Sequence, residues 1–251
     1  MLRPYVISIA GFDPSAGAGV LADVKCFEQH QVYGFGICSS LTIQNDTDFI
    51  KNQWISAQQI IAQLAPLLNK FKVAVCKIGL IENIKVLLQV TTYLKQHNPD
   101  IKIVLDPVLT ATAGFEFHDW QNGLTQLIPV LKQISLITPN YHEFKKMGNA
   151  ADEDMHKAAS GWARYCPVLL KGGHNAYAPG TDFLFEYGSF QTLEPTTQEI
   201  EQKHGSGCIL SASIAANLAL GYSLTEACKL AKAYIEQFLN SNSTLLGYHS
   251  L

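Results

Sequence analysis

The stretch "YVISIAGFDPSAGAGVLADVKCFEQHQ", Tyr5 to Gln31, decides the fold. Its first seven residues, Tyr5 to Gly11, form a near-continuous apolar run, the pattern of a strand covered on both faces. From Ala18 onward apolar residues recur at helical spacing, which predicts an amphipathic helix to Gln31. A buried strand turning directly into a helix is the opening half of a βαβ unit, so the question is whether the unit repeats.

It does. "GICSSLTI" (36–43), "VAVCKIGL" (73–80), "IKIVLDPV" (101–108), "ISLITPN" (134–140) and "VLLKGG" (168–173) are further strand-like runs rich in Val, Ile and Leu. Helix-like segments lie between them: "SAQQIIAQLAPLLNKF" (56–71), "NIKVLLQVTTYLKQHN" (83–98) and "DEDMHKAASGWARYC" (152–166). "DFLFEYGSFQTLE" (182–194) differs, reading as two strands around Gly188, a hairpin at one edge. Two helices, "SGCILSASIAANLALG" (206–221) and "LTEACKLAKAYIEQFLNS" (224–241), then close the chain. The expectation is an α/β fold in three layers, with a central, mostly parallel sheet and an antiparallel edge hairpin. No repeat, low-complexity tract or linker interrupts residues 1–251, so one domain is expected.

Composition narrows the classes of function. The chain is 47% hydrophobic and 16% charged, the balance of a compact enzyme. A net charge of -3 gives no general attraction to nucleic acid or anionic membrane. No apolar stretch is long enough to cross a bilayer, and no typical leader cleavage site follows the short run ended by Asp13. Cys26, Cys38, Cys76, Cys166, Cys208 and Cys228 are scattered, without a C-x-x-C pair or zinc spacing. They are expected to be free thiols in a reducing, cytoplasmic compartment.

In open α/β sheets ligands bind beyond the carboxyl ends of the strands. The polar and glycine residues there are Gly11 and Asp13, Gln44 and Asn45, Gly79, Asp106, Asn140 with Glu143, and Lys171 with Gly172 and Gly173. Lys171 leaves an apolar strand directly into two glycines, an odd place for a solvated lysine and a good one for a phosphate. Asn140 and Glu143 have capping-box spacing, and Glu143 beside phosphates could also reach Mg²⁺ through water. Asp106 reads equally as a turn cap before Pro107 or an organiser of a phosphate-linked Mg²⁺. Asp23 lies on the first helix and reads by itself as a solvent-facing carboxylate, and His204 as a loop histidine or a ligand group. Gly205, Ser206 and Gly207 stand before the apolar helix that begins near Cys208, where free N–H groups make an anion site.

Other motifs are weak or missing. "GAGVLA" (Gly17, Gly19, Ala22) matches G-x-G-x-x-A, keeping an NAD(P)-dependent oxidoreductase open, but "FDPS" separates it from the strand. There is no G-x-x-x-x-G-K-[ST], no H-E-x-x-H and no G-x-S-x-G.

Taken in order, "ISIAGFDPSAGAGVLADVKCF", "YGFGICSSLTIQND", "KIGL", "VLDPV", "LITPNYHE", "LLKGGH" and "HGSGCILSASIA" resemble the hydroxymethylpyrimidine and phosphomethylpyrimidine kinases of thiamine biosynthesis, within the ribokinase-like superfamily. The resemblance covers nearly the whole chain. It implies ATP with Mg²⁺ as phosphate donor, a 5-hydroxymethylpyrimidine acceptor and a homodimer. At matching positions it implies that Gln44 bonds the aminopyrimidine, with Gly11, Asp13 and Asp23 nearby and Leu80 and Val108 against the ring. Lys171, Asn140 and Gly172 would serve ATP, Asp106 and Glu143 would organise Mg²⁺ and water, and residues 205–208 would form the anion hole.

Many ribokinase-like enzymes place an aspartate where Cys208 stands, so Cys208 is the expected base. A helix N-terminus can lower a thiol's pKa, and whether Cys208 acts as thiol or thiolate is left open by the sequence. Three positions depart from the family pattern. Thr112 stands where a lysine is usual, which bears on the second phosphorylation, and Thr42 and Leu80 replace a small apolar residue and a methionine. Some relatives with this cysteine phosphorylate pyridoxal or pyridoxine, so a vitamin B6 kinase is the nearest alternative. A non-catalytic pyrimidine-binding protein is a third.

Overall fold

The computed structural model describes residues 2–110, 117, 123–148, 155–174, 178–197 and 200–250. Thr112 and the first residues of the helix expected over 152–166 lie outside them.

The opening stretch folds as its pattern requires, with β1 (Tyr5–Phe12) followed by α1 (Gly19–Gln29). The chain continues through β2 (Tyr33–Gln44), β3 (Phe49–Trp54), α2 (Ala57–Lys70), β4 (Val73–Ile78), α3 (Ile84–His97) and β5 (Lys102–Leu105). It proceeds through α4 (Gly123–Leu131), β6 (Leu136–Ile137), α5 (Tyr141–Gly148), α6 (Met155–Trp162) and β7 (Val168–Leu170). A hairpin of β8 (Asp182–Glu186) and β9 (Ser189–Leu193) precedes α7 (Ser206–Ala219) and α8 (Leu224–Leu239).

The described strands make one sheet in the order β3-β2-β1-β4-β5-β6-β7-β8-β9. From β2 to β7 neighbours are parallel; β3 and the β8–β9 hairpin are antiparallel. The hairpin lies at an edge as expected, turning through Tyr187 and Gly188, both at positive φ. The opposite edge, β3, is an addition to the sequence reading. Its Lys51, Asn52 and Gln53 interrupt any apolar run because the strand is an edge with little to bury.

Period-2 alternation along the central strands feeds two cores. Ile7, Ile9, Cys76, Ile78, Ile103 and Leu105 face a core shared with α2 to α6. Val6, Val75, Val104 and Leu136 face one shared with α1, α7 and α8. These are the three layers expected. α7 is buried continuously from Ile209 to Leu218, its few polar side chains included, which makes it an interior helix. Helix starts follow the chemistry of their caps: Ser56 with Gln59 and Ser223 with Glu226 form reciprocal capping boxes, and Asn83 caps α3. All six cysteines are free. Among the described residues no helix is long and apolar enough to cross a membrane.

Candidate active site

The parallel strands end side by side, and their last residues carry the polar groups. At the end of β5, Asp106 is buried and accepts from Lys171 Nζ at 2.8 Å through Oδ1. Its Oδ1 also accepts from Thr138 Oγ1 at 3.2 Å, and its Oδ2 accepts from Ser211 Oγ of α7 at 3.2 Å. Lys171 Nζ lies 3.9 Å from Glu143 Oε2, so it bridges the two carboxylates expected to handle metal.

Asn140 and Glu143 form the anticipated reciprocal cap at the start of α5: each backbone N–H donates to the other's side chain at 2.8 Å. Burial raises the Glu143 carboxyl to about 7; Lys171 pulls it down and Asp106 pushes it up. Gly172 has a strict steric role. A Cβ there would sit 1.7 Å from the Thr181 carbonyl oxygen, and its N–H donates to Asp182 Oδ1 at 2.7 Å.

Helix α7 brings the glycine turn to the same place. Gly205, at φ +75°, is its N-cap; a Cβ there would fall 2.1 Å from the Gly17 carbonyl oxygen, so only glycine fits. Ser206 and Gly207 follow, half-buried, and a Cβ at Gly207 would be 3.3 Å from Lys171 Nζ and 3.8 Å from Asp106 Oδ2. The first turn of α7 therefore faces the lysine–carboxylate cluster, with its free N–H groups available to an anion.

Cys208 sits in that turn, half-buried. Burial, with Asp23 and Asp106 adding to it, pushes the thiol up to about 11 despite the opposing Lys77 charge and an N–H bond from Gly19. Desolvation exceeds what the helix N-terminus offers and favours the neutral thiol.

On the other side stand the residues expected at the acceptor. Gly11, Thr42 and Leu80 converge: a Cβ at Gly11 would lie 3.1 Å from Leu80 Cδ2 and 3.6 Å from Thr42 Cγ2. Gln44, at the end of β2, donates from Nε2 to Thr42 Oγ1 at 2.9 Å, and Thr42 Oγ1 donates to the Phe12 carbonyl at 2.7 Å. Val108 is half-buried two residues past Asp106, its N–H on the Asp106 carbonyl at 2.9 Å. Asp13 is fully buried and accepts from Ser15, Ala18 and His204. Its carboxylate takes the N–H of Ala18, the N-cap of α1, and that of Ser15 in the loop leading into "GAGVLA".

Asp23 is not the solvent-facing carboxylate that its place on the first helix allowed. It is fully buried and held by Lys77 Nζ at 2.8 and 3.0 Å and by Ser8 Oγ. Burial opposes the Lys77 ammonium, but Asp23, with Asp106 further off, outweighs it and raises the lysine's pKa. Lys77 had no role in the sequence reading. Its signal was available, since a lysine inside the apolar run "VAVCKIGL" is as odd as Lys171.

A parallel α/β sheet, a helix N-terminus facing a lysine between two carboxylates, and an apolar wall opposite define a small-molecule kinase of the ribokinase-like class. The family model for phosphomethylpyrimidine kinase matches residues 13–250. A Rhizobium meliloti protein named hydroxymethylpyrimidine/phosphomethylpyrimidine kinase is 33% identical over 97% of this chain and 93% of its own length. Among solved structures, a phosphomethylpyrimidine kinase from Clostridium difficile 630 superposes with a TM-score of 0.75 at 28% identity, covering 93% of this chain and 98% of that one. A Staphylococcus aureus pyridoxal kinase in complex with ADP has a TM-score of 0.83 at 24% identity, covering 96% and 89%, and shares the fold. The chain belongs to the phosphomethylpyrimidine kinase family.

Proposed function

We propose that this chain, as one kinase domain, transfers the γ-phosphoryl group of ATP to the hydroxymethyl group of 4-amino-5-hydroxymethyl-2-methylpyrimidine, and then phosphorylates the monophosphate. The observation that carries this is the meeting of the α7 turn, Lys171 and Asp106 across from the Gly11–Thr42–Leu80 wall. Phosphoryl transfer depends on alignment and charge stabilisation more than on covalent catalysis, and these groups supply both.

The ring lies against Leu80 and Val108, and Gln44 exchanges its bond to Thr42 for one to the aminopyrimidine. Lys171 presents its charge to the phosphates, with Asn140 and Gly172 shaping the strand end around it. The N–H groups of residues 206–208 stabilise charge developing on the transferred group. Cys208 takes the acceptor's proton; its raised pKa means that only the ionised fraction is competent.

Asp106 and Glu143 fit Mg²⁺ by their chemistry, being hard oxygen donors drawn together around a cation. Glu143 already spends Oε2 on the Asn140 N–H, which favours contact through water. Mg²⁺ held by these residues would supply positive charge to offset the phosphate oxygens.

A homodimer is supported by the exposed apolar side chains Tyr33, Leu41, Ile43 and Ile50 on β2 and β3. A cytoplasmic setting is supported by the six free thiols. The test is a coupled ATP-consumption assay with the hydroxymethylpyrimidine, its monophosphate, pyridoxal and pyridoxine as acceptors. Turnover highest on the pyrimidines is expected. Preference for pyridoxal or pyridoxine would move the substrate to vitamin B6, and no turnover on any acceptor would remove the kinase assignment.

A further inference from the structure

The acceptor wall and the phosphate turn are joined by one side-chain bond that the mechanism above leaves unused. His204, immediately before the turn, is 4% exposed, and its Nε2 donates to Asp13 Oδ2 at 2.9 Å. Among the described residues its Nδ1 has no hydrogen-bond partner, so the ring's polar anchorage is that single bond.

Asp13 is in turn fixed within the β1–α1 loop. Its Oδ1 accepts from Ser15 N at 2.9 Å, its Oδ2 accepts from Ala18 N at 2.9 Å, and Ser15 Oγ reaches both oxygens. Burial works against its charge, but the bonds from His204, Ser15 and Ala18 outweigh burial and hold it below its usual range, as a carboxylate.

The backbones on either side meet without side chains between them. A Cβ at Gly17 would lie 2.6 Å from the His204 ring, and one at Gly205 would lie 2.1 Å from the Gly17 carbonyl oxygen. A Cβ at Gly19 would fall 2.1 Å from the Gly11 carbonyl oxygen, which ties the loop to the acceptor wall itself. The carboxyl-terminal segment backs the arrangement, with Leu245 O accepting from His204 N at 2.9 Å.

We propose that the His204–Asp13 bond is a positioning strut: it sets the distance between the hydroxymethyl acceptor and the phosphate turn. This rests on the kinase reading. His204 does not exchange protons with substrate; it holds the loop that follows Gly11 and the turn bearing residues 205–208 in one register. A displacement of about 1 Å between reacting groups costs on the order of 100-fold in rate, so one bond here is enough to matter.

The test compares His204→Ala, His204→Asn and His204→Gln in the full chain, measuring kcat, KM for each substrate, thermal midpoint, and ADP released per phosphorylated product. Glutamine places an N–H donor at about the reach of histidine Nε2; asparagine stops short. Expected are a roughly 100-fold fall in kcat for the alanine and asparagine variants and a KM for ATP within about threefold of wild type. ADP release should outrun product formation in both, and glutamine should recover most of kcat. Wild-type kcat in a folded His204→Ala, or a glutamine variant as slow as alanine with the same thermal midpoint, would overturn the strut. A wild type that prefers pyridoxal would displace the pyrimidine reading alone, and the same variants would then be read on pyridoxal. A wild type inactive on every acceptor would overturn both.

Discussion

Cys208 shows what a single position takes from its surroundings. A thiol in the first turn of a helix is ordinarily a candidate for easy ionisation, and the sequence leaves its state open. Burial beside Asp23 and Asp106 reverses it, carrying the pKa to about 11. The thiol is protonated below that value, and the thiolate fraction grows about tenfold for each pH unit between 7 and 10. If the thiolate is the base, log kcat rises with a slope near one across this range. Cys208→Ala should abolish the slope and lower kcat by about 10²–10⁴-fold. A flat wild-type profile, or an alanine variant with wild-type kcat, would remove the base role. The chain could announce Cys208 because it stands where an acidic group is usual, but ionisation depends on neighbours from β4, β5 and α1. The pairing of Lys77 with Asp23 was hidden for the same reason, since neither residue carries a sign of the other until two elements are packed together.

At the scale of elements, the parallel strands were legible because their burial on both faces leaves an apolar run with a polar end. β3 was not, being a polar edge strand. α4 was not either: Gly123 and Pro129 weaken its helical signal, and packing restores what propensity withholds. The glycines divide sharply by element. Gly205 combines φ +75° with a Cβ position inside the Gly17 carbonyl, whereas a Cβ at Gly161 of α6 meets nothing within 4 Å. Gly205→Ala is therefore expected to destabilise by at least about 2 kcal/mol, and Gly161→Ala to stabilise by about 0.5–1 kcal/mol. Chemical denaturation of both variants checks the pair; equal effects would contradict the interlock of the two loops.

Across the molecule, two cores hold the sheet from opposite faces and leave its carboxyl edge free to carry chemistry. Most of the site could be listed from strand ends, because Gly11, Gln44, Asp106, Asn140 and Lys171 each follow an apolar run. What the linear order could not supply was which of them touch. Lys171 clamps Asp106 and nears Glu143, Ser211 reaches over from α7, and Asp23 pairs with Lys77. The account stands most directly on the identity of the product. Wild-type chain incubated with ATP, Mg²⁺ and the hydroxymethylpyrimidine, followed in time by mass spectrometry, should yield the monophosphate first and the diphosphate after it. ATP consumed with no phosphorylated pyrimidine at any time would contradict it.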